Sequence, residues 1–584
     1  MGLAQALVGV NVVEVSSLVS LLSSLVDAAT EAAMAKQEGW QAHADYLVYC
    51  VLAALPWGAA DLHDRSPEAL TAVLATCEEY LGRRERGGDP LLRLTPLTAS
   101  SSEEATKKEE EEEDFIEELW GRVSDLAQSG NWTVTAVPQL AAPFEHKLAT
   151  AIHHDLPTMP IPGPPQLPTG SATQRKAVSM AKYPPRGRLR VLAKKHTEAD
   201  RPPMERFVVE EYVLDTLQFW AAARAECVTQ LASVPVPPSW NVEYIIAETL
   251  FAQLLRLPSP GERPLLYGIV LADLCRLRAT TGSLILPKMA PALAATVGQL
   301  FRRVPTMDVE CRSRLSEWLA LHLSNFSFHW PWDRWAHVAE LPPHAPQRVF
   351  VEETLQREIR LSYWDRIHST LPEELQKLMP PKPEAQSRYA SEVANGGGVE
   401  GSEVALAQEL MGMIKRKLSV AELEDWVREA LVDKEAVQAE PAVRVVGTCV
   451  LILCSKSWTH LVTLLERFGS LLRLVAVDRV SQQTLVQTTA DIWATSPQHL
   501  AMTVERLLSH RLVSTPAIVD WVFCAWTALL TGSAPSAVSS AVRVRAQPAP
   551  PFPRNASQHS SAVPNLRMVS LSKTPRTRDT YHRL

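Results

Sequence analysis

The 584 residues correspond to roughly three to five domains of about 100–200 residues each, or to one long repeat array. With 46% apolar and 21% charged residues, the chain can bury cores and is not a disordered polymer. A formal net charge of -7 argues against a protein that holds nucleic acid through its overall field, since such domains are usually basic.

The amino-terminal stretch reads as helix through Leu7, Val10 and Val13, then Leu18, Leu21, Leu22 and Leu25. No Lys or Arg precedes Lys36, so a secretory leader is not expected there. Residues 1–156 form a first helical domain, interrupted at 100–114 by an acidic insertion. Its unbroken Glu109–Glu113 run repels itself and stays solvated. Residues 157–204 are dense in Pro and carry Arg186, Arg188, Arg190, Lys194 and Lys195. They read as a basic linker. Residues 205–379 form a second helical domain. In it Val242, Ile245, Ile246, Leu250 and Leu254 make one helical stripe, and Leu265, Leu266, Ile269, Val270, Leu274 and Leu277 make the next. Residues 380–402, with Gly396, Gly397 and Gly398, read as a loop. Residues 403–530 form a third helical domain with stripes such as Trp458, Leu461, Leu464, Leu465, Phe468 and Leu472. Residues 531–584 turn to Ala, Ser, Pro and Arg and read as a disordered tail. Short helices in close succession imply stacked antiparallel hairpins, an all-α solenoid. The 43 prolines against 24 glycines fit many short helices stopped by Pro.

The best apolar run is Val443–Cys454, about 12 residues against the ~20 that span a bilayer, so no membrane partner is expected. The eight cysteines form no CxxC pair and read as buried, reduced thiols. Cys449 and Cys454 read as core, and His153 and His154 as surface residues. A phosphate-cradling Gly loop, GxSxG and HExxH are absent. Catalytic, metal and cofactor sites are therefore expected to be none, and the chain is not expected to be an enzyme.

The aromatic content is unusual: 16 Trp outnumber 12 Phe and 10 Tyr. Trp330, Trp332 and Trp335 cluster in one short stretch. Two readings stand. One has the rings fill a helix junction, with Pro331 starting the second helix; the other has them contact a partner, where Trp and Arg favour hot spots.

That stretch, Leu321-His-Leu-Ser-Asn-Phe-Ser-Phe-His-Trp-Pro-Trp-Asp-Arg-Trp335, resembles a signature of the large-subunit family of the nuclear cap-binding complex. So do Arg360-Leu-Ser-Tyr-Trp-Asp-Arg-Ile367, Leu55-Pro-Trp-Gly58 with Tyr80-Leu-Gly-Arg-Arg84, Glu205-Arg-Phe-Val-Val-Glu-Glu211, Ser455-Lys-Ser-Trp-Thr-His460, Ile492-Trp-Ala-Thr-Ser-Pro-Gln498 and Val519-Asp-Trp-Val-Phe523. The resemblance runs collinearly over about residues 40–530. It implies three helical domains similar to the middle domain of initiation factor 4G. It implies a scaffold that binds and orders a small subunit with an RNA-recognition fold, the subunit that stacks the 7-methylguanosine cap. Capped RNA would be reached through that subunit. Processing and export factors would be further partners, with roles in splicing, export, 3′-end processing and nonsense-mediated decay in the nucleus. The resemblance also implies a chain incomplete at both ends, so that retention of the small subunit is an open expectation. Arg186–Lys195 and Lys573–Arg578 are candidate import or RNA-contact patches. Trp330, Trp332, Trp335, Arg360 and Tyr363 are the candidate partner contacts, chosen by motif density. The alternative is another initiation-factor-4G-like scaffold of cytoplasmic translation or mRNA decay.

Overall fold

The computed structural model describes residues 8–530 except 9, 36–39, 85–114, 138–141, 149, 158, 162–188, 193–202, 238, 390–401 and 433–438. The acidic insertion, most of the 157–204 linker, Gly396–Gly398 and the 531–584 tail lie outside the described residues. Among the described residues the regular structure is helical, with two isolated bridges, Val13 to His154 and Arg278 to Leu284. The chain divides into two compact units, Met1–Pro381 and Lys382–Leu584.

The first unit opens with α1 (Val15–Ala35), α2 (Trp40–Ala54), α3 (Ala59–Arg65), α4 (Pro67–Arg83) and α5 (Phe115–Ser129). Helix α1 starts later than the leucine pattern suggests. Asn11 adopts a left-handed conformation (φ 57), its side chain donates to the Leu148 carbonyl at 3.2 Å, and Val13 pairs with His154. A turn at Val10–Asn11 and a single bridge at Val13 thus precede the helix. The exposed His153 faces Glu14 at 2.9 Å.

Among the described residues one helix, α1, is long and apolar enough by length and composition to cross a membrane, a stretch longer than Val443–Cys454. Its Leu18, Leu22, Val26 and Ala29 are buried in the amino-terminal core against α2 and α4. Asp27 and Glu31 lie on the same helix.

The chain continues through α6 (Pro203–Phe219), α7 (Arg224–Leu231), α8 (Val242–Leu254), α9 (Pro264–Arg276), α10 (Met289–Arg303), α11 (Val309–Asn325), a 3₁₀ helix (Trp332–Glu340), α12 (Pro346–Leu361) and α13 (Trp364–Thr370). Helix α6 packs on α8 and α8 on α10, while α7 packs on α9 and α9 on α11. This i, i+2 pairing is the signature of two stacked layers of hairpins. Helix α8 is not a one-sided stripe: Glu243 and Ile245–Leu254 are all buried, because neighbours cover it on every side. Leu265, placed on the α9 stripe by spacing, is exposed in the first turn. Helix α6 belongs to two cores. Met204, Phe207, Val208 and Val209 join the amino-terminal one, Val213 and Leu217 the middle one.

The second unit repeats the scheme with α14 (Glu403–Lys415), α15 (Val420–Val427), α16 (Ala439–Cys454), α17 (Trp458–Val475), α18 (Arg479–Ile492), α19 (Pro497–Ser509) and α20 (Thr515–Leu530). Helices α14, α16, α18 and α20 pack in series, and α15, α17 and α19 form the second layer. The run Val443–Cys454 is core helix: Cys449 and Cys454 are buried, and the Cys449 thiol donates to the Ala407 carbonyl at 3.4 Å. Burial pushes both thiols up to about 12. Trp458 is half-exposed at the α17 start, covered on one face by the Arg506 guanidinium at 4.6 Å.

Proline starts helices here more than it stops them. Pro67, Pro264, Pro346 and Pro497 occupy the first turn of α4, α9, α12 and α19, where the missing N–H costs nothing. Side-chain caps do the same elsewhere. Asp308 accepts from Glu310 N at 2.8 Å, and Ser419 with Glu422 closes a capping box on α15.

Candidate partner interface

The tryptophan-rich stretch begins where α11 ends. The Leu323 carbonyl accepts from the backbone N–H of both Phe326 (2.9 Å) and Phe328 (2.8 Å). Ser327 and Phe328 follow each other in the left-handed region, φ 57 and 62. A bulky residue pays about 1–2 kcal/mol for that conformation. The turn repays it by throwing the Phe328 ring into the middle core.

Two guanidiniums close over the turn from outside. Arg276 lies 4.7 Å from the Phe326 ring and donates to the Asn325 carbonyl. Arg366 lies 5.2 Å from Phe328. His322 stacks on Trp318 at 4.9 Å. Burial, with Arg276 adding to it, lowers its imidazole to about 4, so it is neutral at physiological pH.

Pro331 caps the next element, and that element is a 3₁₀ helix, not an α-helix. With three residues per turn, side chains three apart eclipse. Trp332, Trp335 and Val338 therefore fall on one edge, and all three are buried. Trp335 is the hub. Phe301, from the last turn of α10, stacks on it at 4.0 Å and 14°. Trp330 and Trp332 approach it at 5.5 and 5.7 Å, and Phe350 of α12 at 6.2 Å. Trp330 is half-buried against this core.

Helices α11 and α12 run antiparallel along a polar seam. Ser316 meets Thr354 at 2.9 Å. Arg357 donates to Ser316 (3.0 Å), Ser313 (3.2 Å) and Glu353 (3.0 Å). This register sets Val309 opposite Leu361, and Arg360 one turn beyond Arg357 on the same side. Near the end of the seam lie exposed apolar residues: Val309 is 61% exposed, Leu361 49% and Tyr363 60%. Arg360 is exposed beside it.

The structure therefore separates the five candidate contacts. Trp332 and Trp335 spend their area on the chain's own core, and Trp330 most of its area. Arg360 and Tyr363 face solvent together at the α12–α13 corner. Among the described residues no three His, Cys, Asp or Glu side chains converge as a metal site would require.

Two models described as MIF4G like match residues 199–373 and 403–542. Nuclear cap-binding protein subunit 1 of Oryza sativa subsp. japonica is 37% identical over 495 residues, covering 83% of this chain and 54% of the rice protein. The protein of the same name from Arabidopsis thaliana is 35% identical over 523 residues, covering 88% of this chain and 59% of its own. The chain belongs to the nuclear cap-binding protein subunit 1 family. The Aedes aegypti member is 27% identical over 525 residues, 88% of this chain and 60% of its own. The chain thus spans between half and two thirds of the length of these relatives. The turn, the seam and the Arg360–Tyr363 corner all lie within the first MIF4G-like match, and the two-layer hairpin stacking is the helical fold of that family.

Two features of this family member escaped the sequence reading. One is Glu358 on α12, fully buried with neither carboxylate oxygen hydrogen-bonded. Burial alone raises its carboxyl to about 8. The other is the charged lining of α6, where Glu205, Arg206 and Glu210 are buried. In the sequence these look like an ordinary solvated helix face. The only signal was that α6 has apolar residues on every side, leaving no face for its charges to occupy.

Proposed function

We propose that this chain is the scaffold subunit of a nuclear cap-binding complex. It binds a small RNA-recognition-fold subunit and orders the segment that grips the 7-methylguanosine cap. The observation that carries this reading is the similarity to subunit 1 proteins over 83–88% of this chain. A scaffold role fits a middle domain whose tryptophan rings are spent on its own core, and we assign its exposed α12–α13 corner as a docking surface. Arg360 and Tyr363, flanked by Val309 and Leu361, are the contacts we assign to a partner.

A preformed helical surface lowers the entropic cost of ordering a mobile cap-binding segment. Cap affinity then rises without the scaffold touching the cap. Work in the nucleus on splicing, export, 3′-end processing and nonsense-mediated decay follows from the same assignment.

The test is co-expression with a small RNA-recognition-fold cap binder, followed by capture on immobilised 7-methylguanosine. Retention of this chain only in the presence of the small protein supports the proposal. Retention of the chain alone overturns it. Absence of any complex overturns it in favour of another MIF4G-like scaffold.

A further inference from the structure

The first two turns of α6 hold three buried ionisable groups, and each reaches a different part of the molecule. Glu205 accepts the backbone N–H of Thr135 (2.6 Å) and Ala136 (2.8 Å), just beyond α5. Arg206 bonds Glu210 at 2.9 Å and Glu248 of α8 at 2.7 Å. Glu210 takes a second cation, Arg190, at 2.8 Å. Arg122 of α5, paired with Glu118, also lies within the field of Glu210. Three guanidiniums (Arg122, Arg190, Arg206) and three carboxylates (Glu118, Glu210, Glu248) thus form one cluster across α5, α6 and α8.

Arg190 reaches this cluster on residues 189–192, the carboxyl-terminal part of the Pro-rich linker. That piece is not a solvated linker. Glu248 accepts two successive backbone N–H groups through one oxygen, Val191 at 2.8 Å and Leu192 at 2.6 Å. Leu189 and Val191 are buried in the middle core, and the Arg190 carbonyl accepts from Arg303 at 3.2 Å. Leu189 and Val191 enter the core while Arg190 between them meets the charges, and the backbone bends at Leu192 so that two successive N–H groups reach the same oxygen.

Fixing an extended residue costs about 1–2 kcal/mol of backbone entropy. Charge-assisted bonds from two backbone N–H groups to a desolvated carboxylate offset that cost. Without Arg190, Glu210 loses one of its cations in a site where a missing partner is strongly disfavoured.

We propose that residues 189–192 are a latch. They are a self-peptide seated in a dedicated slot, and by completing the charge cluster they make the amino-terminal and middle cores behave as one body.

The test is hydrogen–deuterium exchange on the full chain carrying Arg190→Glu, Arg190→Lys, or the double change Leu189→Ser with Val191→Ser. In the first and third variants, amides of α5 should exchange roughly tenfold faster or more, while α11 keeps its native rate. Arg190→Lys should stay close to native. A synthetic peptide of residues 186–195, added to the double variant, should restore α5 protection saturably, and the same peptide with Arg190→Glu should not. Faster exchange confined to 189–192, with α5 unchanged in both variants, overturns the latch. So does uniform acceleration that includes α11, or equal protection by the charge-reversed peptide. Should Arg190→Glu not fold, the double variant with its two peptides decides alone.

Discussion

The aromatic turn after α11 and the charged junction at α6 solve the same problem by opposite means. Each fixes a segment that leaves the regular hairpin stack. The turn does it with area: five rings, Phe301, Trp330, Trp332, Trp335 and Phe350, gather within about a ring's width. The junction does it with paired charge in a desolvated site. Area is additive and indifferent to salt and pH. A buried ion cluster is conditional, since every member depends on its partners being present and ionised.

The largest expected effect tests the first half of that contrast. Trp332→Ala should cost about 3–5 kcal/mol in chemical denaturation, with little change in that loss between low and high salt. A loss below about 1 kcal/mol would mean that the ring is a surface anchor and not a core plug.

Somewhat smaller, and different in kind, is Arg206→Met. It leaves Glu210 and Glu248 facing a thioether, while Arg190 and two backbone N–H groups remain. The cost should be about 3 kcal/mol, the low end for breaking a buried pair. Lowering the pH should recover part of it as the carboxylates that lost Arg206 take up protons. Burial already raises Glu248 above the usual carboxylate range, against the pull of Arg206. A loss independent of pH would show that volume, not charge, holds the junction.

Glu358 sharpens the comparison from a third side, because it is a buried charge site without a cluster. Its carboxyl titrates near 8 in the folded chain against a usual 4.5. The unfolded chain therefore gives up this proton first. The stabilising contribution is full below about pH 4.5 and is lost as pH rises toward 8. Glu358→Met fills the same space without an ionisable group. It should raise stability by about 1–3 kcal/mol at pH 8 and little at pH 4.5, flattening the profile. A loss at pH 8 would mean that the carboxylate has a role that packing does not reveal.

These cases show which parts of the structure a reader of the sequence can see. Helix periods are local, so the bounds of α8 (Val242–Leu254) follow from spacing. What surrounds a helix is not local. The same residues looked like one stripe, although the neighbours of α8 bury it all round. Tryptophan density at 330–335 marked the turn, but density alone could not separate a core plug from an exposed anchor. The answer came from the three-residue period of the 3₁₀ helix, fixed by Pro331 and by the left-handed pair Ser327–Phe328. The charged junction was the least legible. Arg206, Glu210 and Glu248 acquire their meaning only when residues 189–192 of the linker fold back onto them, and Glu205 only when Thr135 and Ala136 do.

The smallest effect on stability is expected at the proposed contact, and there a null result is informative. Arg360 and Tyr363 are exposed, and neither is buried among the middle-core residues. Truncating either to Ala should move the unfolding free energy by no more than about 0.5 kcal/mol. If the α12–α13 corner docks a partner, the same changes should weaken binding by about 1–3 kcal/mol each, as Tyr and Arg do at hot spots rimmed by apolar neighbours. Val309 and Leu361 supply that rim. Isothermal titration of the small subunit into each variant measures the binding, and thermal melting of the free chain measures the fold. The corner is not the interface if binding stays native in the double variant. Weak binding accompanied by a lowered melting point would instead make the corner part of the fold, putting it on the same footing as the buried rings.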